Sequence, residues 1–252
     1  MQLVIYQPCP VNPFIIVSIF KLMSNILVTV SYPNESSFTM KLQLFGVLPL
    51  LVCIVFLQHP RHAIDPSPLA EFSSEWNEAR FDKCNTAVNT SYLSKEEKEV
   101  IYILNLVRTD PKLFANTVVQ KFPQATGQYH LKTIPEFQSL IDTLRKIDPL
   151  PLLYPDSLCY ESANCHAISS GKLGYVGHER KTAECKTKKH HYGECCQYGY
   201  IDPLQILMSL LIDEYVPSLG HRFLCLSNYT QVGVAIQPHN SYGHNTVIDF
   251  YY

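Results

Sequence analysis

The sequence predicts an α+β fold in which helices pack on a small antiparallel sheet. Helical spacing of apolar residues dominates from Ser94 to Ile212, and short β-patterned segments, Gln231–Gln237 and Thr246–Tyr251, close the chain. Strands and helices do not alternate strictly, which argues against a doubly wound parallel sheet and for an α+β sandwich. The chain has 252 residues, 46% hydrophobic and 17% charged, enough to bury a sizeable core. A formal net charge of -2 gives no electrostatic reason to expect nucleic acid or an anionic membrane surface as partner. Lys181, Lys186, Lys188 and Lys189 form a short basic run that reads as a solvated loop.

In chain order, Met40-Lys41 is followed by an apolar run through Leu57 with the proportions of a secretory signal. Residues 1–39 then read as an upstream extension and 40–57 as a signal cleaved soon after Leu57, with an internal membrane anchor as the alternative. Residues 58–93, with Pro60, Pro66, Pro68, several serines and the single tryptophan Trp76, read as a loose lead-in. Asn89-Thr90-Ser91 and Asn228-Tyr229-Thr230 are glycosylation acceptor patterns for a cell that uses them. At Ser94 the pattern changes: Ser94-Lys95-Glu96-Glu97 is a capping box, and Val100, Ile103, Leu104 and Val107 follow at helical spacing.

Asp110-Pro111 starts a second helix, and Phe137, Leu140, Ile141 and Leu144 mark a third. Asp156 or Ser157 caps a fourth, which Ser170-Gly171 should end. Asp202-Pro203 opens a helix apolar on nearly every side, therefore buried, that should stop near Asp213-Glu214 ahead of Pro217. The two closing β segments make a hairpin with a generous loop that should hold His239 and His244.

Nine cysteines suggest an oxidising compartment; removal of residues 1–57 leaves Cys84, Cys159, Cys165, Cys185, Cys195, Cys196 and Cys225, an odd number, so at least one is unpaired or bonded between chains. Cys159 and Cys165 are too far apart along one helix to bond each other. A bridge from Cys185 to Cys195 or Cys196 fits across a short loop, and without a repeated C-x-x-C spacing the thiols do not read as a zinc site.

Taken in order, Asn105-Leu-Val-Arg-Thr-Asp-Pro-Lys-Leu-Phe-Ala115, His166-Ala167, Gly177-His178, Gly193-Glu194, Leu211 to Arg222 and Val247-Ile-Asp-Phe250 resemble the CAP superfamily. This is the family of cysteine-rich secretory, antigen-five and pathogenesis-related-one proteins, with the sperm-coating-protein-like domain, and the likeness is to its bacterial-type branch over residues 94–252. The resemblance implies an α-β-α sandwich with a cavity of two histidines and two acids. By position these are His178, Glu194, Asp213 and His221, with Glu214 as the alternative to Asp213. It also implies zinc or another divalent metal at His178 and His221, a secreted extracellular protein, and a small apolar ligand such as a lipid or sterol, or an extracellular protein, as partner. Here Cys195 replaces the family's usual Asn after Gly-Glu.

Neutral imidazoles with carboxylates can bind zinc and activate water, the chemistry of a metal-dependent hydrolase or peptidase. The same groups can instead form a hydrogen-bonded polar cavity in which each acid fixes an imidazole tautomer. The non-enzymatic binding reading is preferred, with the hydrolase as alternative and no residue assigned as catalytic. His166 reads as a satisfied core histidine. His190 and His191, adjacent on an extended segment, point to opposite faces and read as loop residues.

Overall fold

The computed structural model describes the strands at residues 3–9, 12–22, 25–31 and 38–43, and all of residues 66–252. The chain divides into two compact units, Met1–Ile64 and Asp65–Tyr252. In the first, β1 (Leu3–Cys9), β2 (Asn12–Leu22), β3 (Asn25–Ser31) and β4 (Phe38–Gln43) form an antiparallel sheet in sequence order. Strands β1 to β3 and the start of β4 fall in the stretch read above as an upstream extension. Of the signal-like run, only Met40 to Gln43 is described, as part of β4; the remainder lies outside the described residues.

The second unit is mixed helix and sheet. Its elements are α1 (Lys95–Thr109), α2 (Pro111–Phe114), α3 (Gln120–Ala125), α4 (Pro135–Lys146), β5 (Tyr154–Pro155), α5 (Ser157–Leu173) and α6 (Ala183–Thr187). They continue with β6 (Gly193–Tyr198), α7 (Pro203–Ile212), α8 (Gly220–Cys225), β7 (Gln231–His239) and β8 (Gly243–Tyr251). The sheet runs β5-β7-β8-β6, with β5 parallel to β7 and the other pairs antiparallel, so β6 is an edge strand.

Local chemistry starts the helices where the sequence places them. The Ser94 hydroxyl accepts from the Glu97 backbone at 3.2 Å, and the Glu97 carboxylate accepts from the Ser94 backbone at 2.7 Å. The other Glu97 oxygen accepts from Ile236 N at 2.9 Å, which ties the start of α1 to β7. Asp110, Asp156 and Asp202 cap α2, α5 and α7 through their side chains. The sheet buries both faces: Val232, Val234, Ile248 and Phe250 join the main core with α1 and α7, while Ala235 and Val247 pack on Ala163 and Ala167 of α5.

Two buried arginines hold loops to this core without a carboxylate partner among the described residues. Arg108 donates to the carbonyls of Pro151, Cys225, Ser227 and Tyr229 at 2.7–2.9 Å. Arg222 joins the carbonyls of Leu211 and Ile212 at the end of α7 to Glu136 O and Ser139 Oγ of α4.

Several expectations are corrected. Residues 66–93 are no loose lead-in: Leu69, Phe72, Trp76, Phe81, Cys84, Ala87 and Leu93 belong to the main core. Helix α5 runs on to Leu173 and ends at Gly174, whose φ of 63° suits a left-handed stop. Gly171 lies inside it, where a Cβ would sit 2.1 Å from Pro238 O. The closing hairpin pairs as far as His239 and Gly243, so its loop is short and His239 and His244 are strand residues. Cys185 bonds Cys165, joining α5 to α6, and not Cys195 or Cys196; both of these are free and buried.

Candidate functional site

Glu194 and Cys196 lie on β6, on the face toward α5, which contributes His166. Glu194 stands in register opposite Asp249 of β8. Like charges directly across a strand pair repel, and Arg180, from the loop after α5, supplies the intervening cation. Its Nη2 contacts Glu194 Oε2, and lies 3.3 Å from Asp249 Oδ2 and 3.3 Å from Ser162 Oγ. Burial would raise the Glu194 carboxyl, but hydrogen bonds from His178 and Arg180 outweigh it and hold the group below the usual carboxylate range. Asp249, fully buried and farther from Arg180, is pushed up to about 6 by burial despite the hydrogen bond from His191.

The four residues singled out by the resemblance form two imidazole–carboxylate pairs that face each other. His178 Nδ1–H donates to Glu194 Oε1 at 2.9 Å, and His221 Nδ1–H donates to Asp213 Oδ1 at 2.7 Å. Since an ionised carboxylate only accepts, each bond assigns the proton to Nδ1 and leaves a lone pair on Nε2 of the neutral ring. The ring centroids lie 6.3 Å apart, tilted by 35°. The side chains of Glu194 and Asp213 are only 4% and 2% exposed, against 57% for His178 and 23% for His221. A ligand therefore meets imidazoles, with the acids behind them. The bond to Glu194 raises the His178 pKa above its ordinary value.

Asp213 owes its place to backbone geometry. It ends α7 with a left-handed φ of 59°, and its second oxygen accepts from His221 N at 2.9 Å, capping α8. Tyr215 and Leu219 also have positive φ, 64° and 50°, so three non-glycine residues hold the strained conformation in one short connection. The helix stop thus comes from Asp213 itself, ahead of Pro217. Glu214 points elsewhere, with Oε2 3.6 Å from His130 Nε2. A cleft of about 410 Å³ opens beside β6 and is lined by Cys196, Tyr198, Tyr200, Leu210, Asp213 and His221, among others.

No family model, curated protein or solved structure matches this chain. The site therefore rests on its own geometry. Buried groups that could hold a metal ion are His166, Glu194 and Cys196; His191, Glu194 and Asp249; and Asp156, Cys159 and His190. Two of these residues depart from the sequence reading. His166 is buried, with Nε2 2.8 Å from Gly177 O and 4.0 Å from Glu194 Oε1, but its Nδ1 has no partner, so it is no satisfied core histidine. His191 is more than a loop residue, since its Nδ1 lies 3.2 Å from Asp249 Oδ2. His190 stacks on Tyr251 instead, centroids 4.2 Å apart, so the adjacent rings do serve different surroundings. Arg180 and Asp249 were not singled out as site residues at all.

Proposed function

We propose that this chain is a secreted binding module of the CAP type, with an α-β-α arrangement. The cleft beside β6 takes a small, partly apolar ligand such as a lipid or sterol, or a group of an extracellular protein, and a divalent cation such as zinc binds at its imidazoles. The resemblance puts His178 and His221 forward as ligands of that cation. The observation that carries the reading is the facing of two acid-oriented imidazoles, one of which, His221, lines a cleft with three tyrosines. A carboxylate behind each ring is the support that metal-binding histidines commonly have.

No nucleophile is assigned, and the binding reading needs none. Its test is native mass spectrometry of the secreted full chain, which reports retained metal and ligand together, followed by zinc calorimetry and assays on ester and peptide substrates. The expected outcome is one bound divalent ion, weakened in His178→Ala, without turnover. Metal-dependent hydrolysis abolished in His221→Ala would establish the hydrolase instead. A folded wild type that binds neither metal nor ligand would refute both readings.

A further inference from the structure

We propose that the cation site reaches inward from the cleft and is a thiolate site, in which Cys196, Glu194 and His178 bind zinc or a metal of similar softness. This rests on reading the cleft as a cation site, and it supplies the donor set. Glu194 divides its oxygens: Oε2 faces Arg180, while Oε1 faces three other groups. His178 Nδ1 lies 2.9 Å from Oε1, Cys196 Sγ 3.8 Å, and a His166 ring nitrogen 4.0 Å. Cys196 Sγ is also 3.6 Å from His178 Nδ1. On a tetrahedral zinc, with bonds of about 2.0–2.3 Å, neighbouring donor atoms are about 3.3–3.6 Å apart. The separations among Cys196, Glu194 and His178 thus lie within roughly half an ångström of such a shell.

Burial and charge favour this position. Cys196 and Glu194 are both buried, 8% and 7% exposed. Arg180 is offset by Asp249, so Glu194 and a Cys196 thiolate remain to neutralise a divalent ion. On binding, the thiol S–H breaks and its proton leaves to solvent, the His178 ring proton passes from Nδ1 to Nε2 by exchange with solvent so that the Nδ1 lone pair is free, and a metal–sulfur bond forms, without any change of oxidation state.

Other positions fit less well. Two imidazoles on one tetrahedral zinc bring their centroids to about 5 Å, whereas those of His178 and His221 are 6.3 Å apart. The outer position would use Nε2 of His178 and the inner one Nδ1. Between His191, Glu194 and Asp249 the Arg180 guanidinium already occupies the place of a cation. In the third group, an Asp156 oxygen is engaged by Cys159 N at 2.8 Å and His190 is stacked on Tyr251.

The test is titration of cobalt(II), then zinc, into the full chain under inert gas, reading the near-ultraviolet thiolate-to-cobalt charge-transfer band. The expected result is one equivalent of cobalt with that band. His221→Ala and Cys159→Ser should keep it, while Cys196→Ser and Cys196→Ala should lose it and bind zinc about 100-fold more weakly, at the upper end of what losing a mere supporting residue costs. Cobalt bound without the band, or a band that persists in both folded Cys196 variants, overturns the thiolate site and leaves the cation reading intact. A folded wild type that binds neither metal overturns both. Should the Cys196 variants not fold, survival of the wild-type band in Cys159→Ser supports the proposal and its loss there contradicts it.

Discussion

Asp213 carries three constraints at once. It adopts a left-handed backbone at the end of α7, accepts from the first turn of α8 and fixes the His221 ring, all while 2% exposed. Asp213→Ala would remove both acceptors and place an alanine where asparagine, aspartate or glycine is better tolerated. We expect a loss of about 1–3 kcal/mol in urea denaturation, with Asp213→Asn losing less because the amide oxygen can still accept. An alanine variant as stable as wild type would show that neither hydrogen bond matters to the fold. At this scale the sequence was informative where a residue stood in a short pattern. Gly177-His178, Gly193-Glu194 and Gly220-His221 were visible, and the structure brings their polar side chains together with Asp213. Arg180 was hidden in a lysine-rich loop that looked solvated, and Asp249 in an apolar strand, because the charge balance that joins them exists only once β6 and β8 pair.

Helix starts were legible for a local reason: Ser94, Asp110, Asp156 and Asp202 each engage a backbone N–H three residues ahead. Strand β6 was not. Its residues Gly193 to Gln197 are all buried, so the alternation that marks a half-buried strand is missing. The contact of α5 with β7 was equally invisible, since it depends on glycines at close approach. At Gly233 a Cβ would lie 2.1 Å from Tyr160 N and 2.2 Å from Cys159 C, both backbone atoms of α5. Gly233→Ala must therefore push α5 off the sheet. The expected cost is about 1–3 kcal/mol or more, as for overpacked cores, and because Cys196 shares a buried cluster with Ala163 and Ala167 of α5, metal affinity should fall with stability. Unchanged thermal unfolding would mean that the approach is looser than described.

On the scale of the unit from Asp65 to Tyr252, residues 66–93 are part of the fold because Leu69, Phe72, Trp76 and Phe81 fill its core. Their prolines and serines misled the compositional reading, whereas the apolar side chains between them decide the packing. Deleting 66–93 removes several large buried groups, each worth about 2–5 kcal/mol, against a total stability of about 5–15 kcal/mol. We expect that deletion to abolish cooperative unfolding, while the fragment 65–252 keeps it. The lone tryptophan gives the readout: Trp76 is buried, with Nε1 3.1 Å from Thr117 Oγ1, and its emission should shift to the red at the same midpoint as circular dichroism. A cooperative transition in the deleted chain would contradict its place in the core.

The disulfide between Cys165 and Cys185, 20 residues apart, closes the loop that carries His178 and Arg180, and should contribute about 3 kcal/mol. It accords with the oxidising compartment that the proposed function requires. Among the described residues, no helix is long and apolar enough to cross a membrane.

The central claim is that His178 belongs to a cation-binding site inside the cleft. Diffraction from zinc-soaked crystals of the full chain, collected on both sides of the zinc absorption edge, tests it most directly. The account predicts one strong anomalous peak at coordination distance from His178, about 2.0–2.3 Å from its donors and on the side of Cys196 and Glu194. Zinc found only at exposed surface side chains, with no peak beside His178, would contradict it.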